Sequence, residues 1–357
     1  MWCQVLVKYI TRYVREHYDV VKLRKDVAMQ LREYAKSMGL TINDAVSYLL
    51  TNMHSNIIDQ VASEVSKYVL DNYGGGRGKL IDYVGGDFFI FDDLNKIFMA
   101  AKASVFVEVF CGSCWCSLNV SRGKFKVIVC NDIDRDLINF YKLVKEKPDE
   151  VIKRLSILPF SRELNSIAYE ILHDESADIV TKAVMLFYAI RTSIFGMFEK
   201  SFRVSKAKSH ARAYTSAVAL IAKYAEKFRD VVLECRDFRE VFKLYDSEKT
   251  LFYLDPPYVG RDYYRYGFTI TDLRDLAKLL NTIKGYWVLK IVEDNYTLIK
   301  DFLPTHELEE IRKPLFMKKV VGEERSELKL LIAHNIRIPK HKQPTITLLQ
   351  FFSDHKK

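Results

Sequence analysis

Five short apolar runs constrain the fold of this chain more than any other feature: "SVFVEVF" (104–110), "KVIVC" (126–130), "TLFYL" (250–254), "GYWVLKIV" (285–292) and "LKLLIA" (328–333). Continuous hydrophobicity over so few residues marks strands covered on both faces, as in buried parallel sheets. Helical segments such as "RDLINFYKLVKE" lie between the runs. The expected architecture is therefore an open α/β sheet with helices on its faces. Residues 145–230 break the alternation with "VIKRLSILPF", "AVMLFYAIRTSIFGMF" and the basic "RVSKAKSHARAY", and read as a mainly helical insertion.

Upstream of the runs, "NYGGGRGKL" (72–80) carries glycines at 74, 75, 76 and 78 and reads as a linker, because so many glycines cannot sit inside a helix or strand. The residues before it have helical spacing, whereas a phosphate-cradling glycine loop needs a preceding strand. Residues 1–77 are thus expected to form a separate small unit. Within it Val21 and Leu23 alternate with Lys22 and Arg24, giving a short strand with one apolar and one basic face. Val27, Leu31 and Ala35 follow at helical spacing, Gly39 ends that helix, and Thr41 with Asp44 opens a second. A strand and two helices of this size cannot build a core alone, so pairing of two strands in a homodimer is expected. The pattern over roughly 19–53 resembles the ribbon-helix-helix DNA-binding family. That resemblance implies that Lys22 and Arg24 face bases or phosphates in the major groove. A helical dimerisation module is the alternative.

The 357 residues include 55 basic and 46 acidic side chains, a net charge of +9 that favours a polyanionic partner such as nucleic acid. The first residues carry charges throughout, unlike a signal peptide, and no run reaches the roughly 18 apolar residues of a membrane span. The expectation is a cytoplasmic protein. Six cysteines in so long a chain do not make a disulfide framework. Scarce glutamine beside abundant Lys, Glu and Tyr hints at a thermophilic origin, where intracellular disulfides do occur.

The candidate sites follow strands, where open α/β sheets bind ligands. "FVEVFCGSCWCSLN" (106–119) runs from a strand through Gly112 into a helix, and its small residues let a ligand approach the backbone. A helix N-terminus there suits a carboxylate. The loop lacks the three-glycine dinucleotide signature, which argues against NAD. Asp132, twenty residues on at the end of the next strand, is placed to bind ribose hydroxyls. Together these call for a nucleoside ligand with a carboxylate and no pyrophosphate, the shape of S-adenosylmethionine. In "YLDPPYVG" (253–260) two prolines end the strand, and an acid and an aromatic flank them.

Asp255-Pro256-Pro257-Tyr258 resembles the signature of amino-group DNA methyltransferases that act on adenine N6. The wider resemblance is to the Dam-type adenine methyltransferases over roughly 80–336, through "YVGG", "FVEVFCGS", "NDIDRDLINFYKLVKEKPDEVIKRL", "DFREVF" and "DPPY". It implies a Rossmann-like S-adenosylmethionine-dependent methyltransferase fold with a catalytic domain (78–144 and 231–345) and an inserted target-recognition domain (145–230). Double-stranded DNA is the implied partner, with the target adenine flipped out of the stack. Asp255 and the Pro256 carbonyl would accept the two N6–H bonds, and Tyr258 would stack on the base. Tyr83, Gly85, Glu108, Phe110 and Gly112 would surround the methionine end of the cofactor, Asp132 its ribose, and Asp237 with Phe238 its adenine. Arg191 and Gly196 match the family's target-recognition stretch, and Arg203, Lys206, Lys208 and Arg212 suit phosphates. Three departures stand out: Asp87 replaces a lysine, Val109 a proline and Cys114 a glycine, with Lys79 a candidate for the missing charge. Cys111, Cys114 and Cys116 lack the second C-x-x-C pair of a zinc site, so no metal is expected. A DNA-binding regulator with a degraded methyltransferase domain, and a methyltransferase acting on RNA, are the other readings.

Overall fold

The computed structural model describes residues 33, 36, 37, 39, 59, 62–74, 78–83, 86–196, 199, 202–261, 264–314 and 327–338. The ribbon-helix-helix reading with Lys22 and Arg24, and the cofactor assignment of Gly85, fall outside them.

Seven strands form one mixed sheet: β1 (Val105–Glu108), β2 (Val127–Asn131), β3 (Val231–Glu234), β4 (Thr250–Leu254), β5 (Tyr286–Val292), β6 (Glu307–Pro314) and β7 (Glu327–His334). Their order is β3-β2-β1-β4-β5-β7-β6. All five apolar runs are strands. The first four pair in parallel, but β7 runs antiparallel to β5 and to β6, unlike the parallel arrangement expected of it. The two strands missing from the sequence reading, β3 "VVLE" and β6 "ELEEIRKP", lie at the sheet edges. In β6 charge replaces the apolar signal that identifies a central strand, and β3 has only four residues, of which Val231 alone is buried.

Side chains alternate between the two faces of the sheet. Phe106, Ile128, Cys130, Leu251, Tyr253 and Val288 point to one core, and Val107, Val129, Phe252, Leu254, Leu289 and Ile291 to the other. The first face is covered by α2 (Phe91–Ala100), α3 (Trp115–Asn119) and α4 (Arg135–Glu146), and the second by α9 (Phe238–Tyr245) and α10 (Ile270–Leu280). Between α4 and β3 the chain runs through α5 (Pro148–Ser156), α6 (Arg162–His173), α7 (Ile179–Thr192) and α8 (His210–Phe228). Side-chain caps start most of them: Ser161 on α6, Asp178 on α7 and Ser209 on α8 each accept a first-turn N–H. From Ala183 to Thr192, α7 is buried on every side, as a helix apolar all round must be. These helices share the first core with the sheet face.

The stretch read as a linker behaves differently on its two sides. The helix α1 (62–73) before it buries Ala62 and Val69, and Val69 joins the first core. After it Leu80 and Ile81 are buried, and the Tyr224 hydroxyl donates to the Gly78 carbonyl at 2.8 Å. The chain therefore joins the globular body by residue 62, ahead of the boundary expected at 77.

Candidate active site

Strand order reverses beside β1, since the chain builds outward through β2 and β3 on one side and β4 and β5 on the other. The gap outside the carboxyl ends at such a switch point is where an open sheet receives ligands. A cavity lies there, walled by Tyr83, Asp87, Phe110, Gly112, Asp132, Asp237, Phe238 and Asp255, with Tyr264 and Phe268 from the segment after β4.

The loop after β1 is held from below. The Gly112 N–H donates to the Asp132 carboxylate at 3.0 Å, the other oxygen of which accepts from Asp134 N–H at 3.0 Å. Tyr141, fully buried on α4, donates its hydroxyl to the Gly112 carbonyl. Gly112 has φ 43°, and a Cβ there would stand 2.8 Å from the Tyr83 ring. Only glycine allows that stacking. Asn131, buried at the end of β2, donates to the Val109 and Arg236 carbonyls at 2.9 and 3.1 Å and accepts from Arg236 N–H at 3.0 Å. It thereby laces the ends of three strands, a role the sequence reading did not give it. Cys114, where the resemblance led to an expectation of glycine, takes the left-handed φ of 55° that glycine would adopt without strain, and its sulfur is bonded to Cys130. Cys111 brings a third sulfur within 4.8 Å of that pair.

The expected cofactor residues divide by position. Phe110, Phe238 and Phe268 form an aromatic corner with ring centroids 5.6 to 6.0 Å apart. Asp237 caps α9, accepting from Arg239 N–H at 2.9 Å and pairing with its guanidinium at 3.2 Å. Arg265 pairs with Asp136 at 2.5 Å and Asp134 at 3.3 Å, which fixes the segment carrying Tyr264 and Phe268 over the cavity. Glu108 turns away beneath the loop, is 2% exposed, and accepts from Ser117 N–H at 2.7 Å. Burial pushes its carboxyl up to about 8, against the hydrogen bonds from Ser117.

At the other end of the cavity sits a charge cluster that the sequence reading missed. Register pairs Leu254 with Leu289, so the next residues, Asp255 and Lys290, stand side by side. The Lys290 ammonium, with 0% exposure, lies 2.5 Å from Asp255 Oδ2 and also binds Asp87. Asp87 in turn accepts from the Cys116 thiol at 3.5 Å. Desolvating a side-chain ion costs several kcal/mol, while one opposite charge at about 4 Å returns about 4 kcal/mol at an effective dielectric near 20. One carboxylate roughly breaks even, and the second decides. Burial works against the lysine's charge, yet Asp255 and Asp87 hold its proton well above the usual range. Lys79, the expected source of positive charge, pairs instead with Asp82 at 3.4 Å. The one sequence signal for Lys290 was a lone cation within a fully apolar strand. Tyr258 follows the two prolines with its hydroxyl pushed up, first by burial and then by the Asp255 charge.

Of the residues expected at DNA, Arg191 is 8% exposed and pairs with Asp82 at 3.1 Å, as Arg203 does at 3.0 Å. Burial alone would raise the Asp82 carboxyl, but Arg191, Lys79 and Arg203 hold it below its usual value. Gly196 has its φ at 71°, and a Cβ there would meet the Asp82 carbonyl at 1.6 Å. Arg191, Arg203 and Gly196 thus clasp the segment that presents Tyr83. Lys206, Lys208 and Arg212 are exposed.

The cavity thus lies at the switch point of an open α/β sheet, with Asp132 after β2 and the Asp-Pro-Pro-Tyr turn after β4. Residues 83–313 match the family described as D12 class N6 adenine-specific DNA methyltransferase, and the chain belongs to that family. It is 24% identical over 231 residues to a DNA adenine methylase of Haemophilus influenzae, covering 60% of this chain and 78% of the relative. It is 28% identical over 210 residues to the Retron Ec67 DNA adenine methylase of Escherichia coli, covering 56% and 71%. A DNA adenine methylase of Vibrio cholerae is 26% identical over 226 residues, covering 58% and 79%. The protein is an enzyme of DNA adenine methylation, in a family that generally depends on S-adenosylmethionine. Among the described residues, no helix is long and apolar enough to cross a membrane.

Glu108 yields a direct test. Its folded-state pKa of about 8 exceeds the ordinary 4.5, so the native state holds this proton more tightly than the unfolded chain. Stability from this group is full below pH 4.5 and is lost as pH rises to about 8. Glu108→Gln removes that loss, and its advantage over wild type should grow by roughly 1 kcal/mol per pH unit across the window. Denaturant melts at several pH values measure it, and a pH-independent difference would refute the assignment.

Proposed function

We propose that this chain binds S-adenosylmethionine in the switch-point cavity and methylates N6 of an adenine flipped out of duplex DNA. The observation that carries the reading is the Asp255-Pro256-Pro257-Tyr258 turn at the mouth of a cavity whose far wall is the Gly112 loop and the Phe110–Phe238–Phe268 corner. The residues fit the group: Gly112 lines the cavity beside Tyr83, Asp132 suits its ribose hydroxyls, and the phenylalanines suit the faces of its adenine. Tyr83 packs on the loop at the methionine end, and Asp237 suits the adenine's amino group. When bound, S-adenosylmethionine supplies an electrophilic sulfonium methyl. Asp255 and the Pro256 carbonyl accept the N6–H bonds of the target base and orient its lone pair. The two prolines hold those acceptors at fixed spacing, and Tyr258 offers its ring to the base. Positive charge grows on N6 as the new bond forms, and a preoriented carboxylate stabilises it without reorganising.

Phosphate contact falls to Lys206, Lys208 and Arg212, whose side chains reach solvent, rather than to the buried Arg191. The N-terminal segment is proposed to dimerise the protein and add a second DNA contact through Lys22 and Arg24.

In a tritiated-methyl transfer assay on unmethylated duplex DNA, Asp255→Ala should lose at least about 100-fold in rate, the magnitude typical of removing one preoriented electrostatic group. Label transfer undiminished in Asp255→Ala would sink the site assignment. Lys206→Ala with Lys208→Ala should weaken binding evenly across DNA sequences and flatten the log-affinity against log-salt slope by about 2. An unchanged slope would remove this loop from the interface. Deleting residues 1–58, which spares α1, should convert a dimer to a monomer in light scattering; a surviving dimer argues against dimerisation through that segment.

A further inference from the structure

We propose that Lys290 is the positioning residue of Asp255 and that Asp87 is its counter-charge, so that the carboxylate is fixed yet the cluster keeps one net negative charge facing the reacting amine. This rests on Asp255 receiving the N6 amine, as proposed above. Three segments distant in sequence converge to make the cluster: the turn after Gly86, the end of β4 and the interior of β5. Register alone sets Lys290 beside Asp255. Lys290 is itself 0% exposed, as is Val288 on the same face of the strand, so position 290 lies in a core where an apolar side chain would be the ordinary choice. A buried cation retained there calls for a role other than packing.

Charge balance supplies that role. Lys290 with Asp255 alone would be a neutral pair, and a neutral pair does little for positive charge developing on N6. Asp87 adds a second carboxylate to the same ammonium from the cavity wall. Two anions and one cation sum to −1, so the lysine anchors Asp255 without cancelling it. Asp255 keeps 17% side-chain exposure toward the cavity while its anchor is sealed from water. Removing Asp87 alone should therefore quench Asp255, and removing Lys290 alone should force two carboxylates together. Removing both should restore the net charge.

Four full-length proteins make the test: wild type, Asp87→Asn, Lys290→Met and the double variant. Single-turnover methyl transfer to DNA, calorimetric affinity for S-adenosylmethionine and thermal midpoint are measured on each. Each single variant should lose about 30-fold or more in rate, and the double should recover to within about 10-fold of wild type, a non-additivity expected only of directly coupled groups. Cofactor affinity should stay within about 3-fold throughout, as expected for groups that act on the amine and not on the cofactor. Additive losses in folded, cofactor-binding variants would overturn the proposal. Should Lys290→Met fail to fold, Asp87→Asn decides alone: a slowed rate at unchanged cofactor affinity, measured below its lowered midpoint where the protein is fully folded, supports it, and a wild-type rate refutes it. Asp255→Ala separates the two readings. If it stays active, the site assignment fails; if it is inactive while the cycle is additive, only the role of Lys290 fails.

Discussion

An ammonium group sealed from water between two carboxylates is the constraint on which the catalytic end of this protein depends. Lys290 can remain charged in a strand of apolar neighbours only because Asp255 and Asp87 both reach it. Without either carboxylate the buried charge would be under-compensated, at a penalty of several kcal/mol. The cluster therefore ties the turn after Gly86 to the end of β4 and the interior of β5. That tie fixes the position of Asp255 at the cavity wall.

The opposite wall of the cavity is built on hydrogen bonds. Asp132 holds the Gly112 N–H, Tyr141 holds its carbonyl, and Asn131 laces the ends of β1, β2 and β3. The Asp82 ion-pair group clasps the segment bearing Tyr83 onto the helical region. A methyl-transfer enzyme needs two ligands aligned for in-line attack, and a small misplacement of either lowers the rate steeply. Both walls are held by interactions that are costly to break, which suits that demand.

Much of this was legible in the residues. The five apolar runs mark the sheet because continuous burial leaves a compositional trace, whereas the edge strand β6 is charged and β3 is only four residues long with one of them buried. The Asp-Pro-Pro-Tyr turn and the glycine of the loop after β1 are local features whose backbone demands show in the residue types themselves. Arg203 read as a phosphate contact, and Arg191 as part of a DNA-facing stretch, because a basic residue looks alike whether it faces solvent or a buried aspartate. Asp87 read as a defect because its partner stands 203 positions away in the chain.

By itself, the sequence determined the class of sheet, the strand-end location of the site, and the acid, prolines and aromatic of the turn after β4. Those depend on short-range pattern: hydrophobic period, turn chemistry and the spacing of acids after strands. Only the tertiary structure decided which charges neutralise which. Register set Lys290 beside Asp255, packing brought Asp87 to the same ammonium, and burial turned Arg191 inward. Electrostatic partnership is a matter of distance in space and exclusion of water, and neither quantity is written in the order of residues.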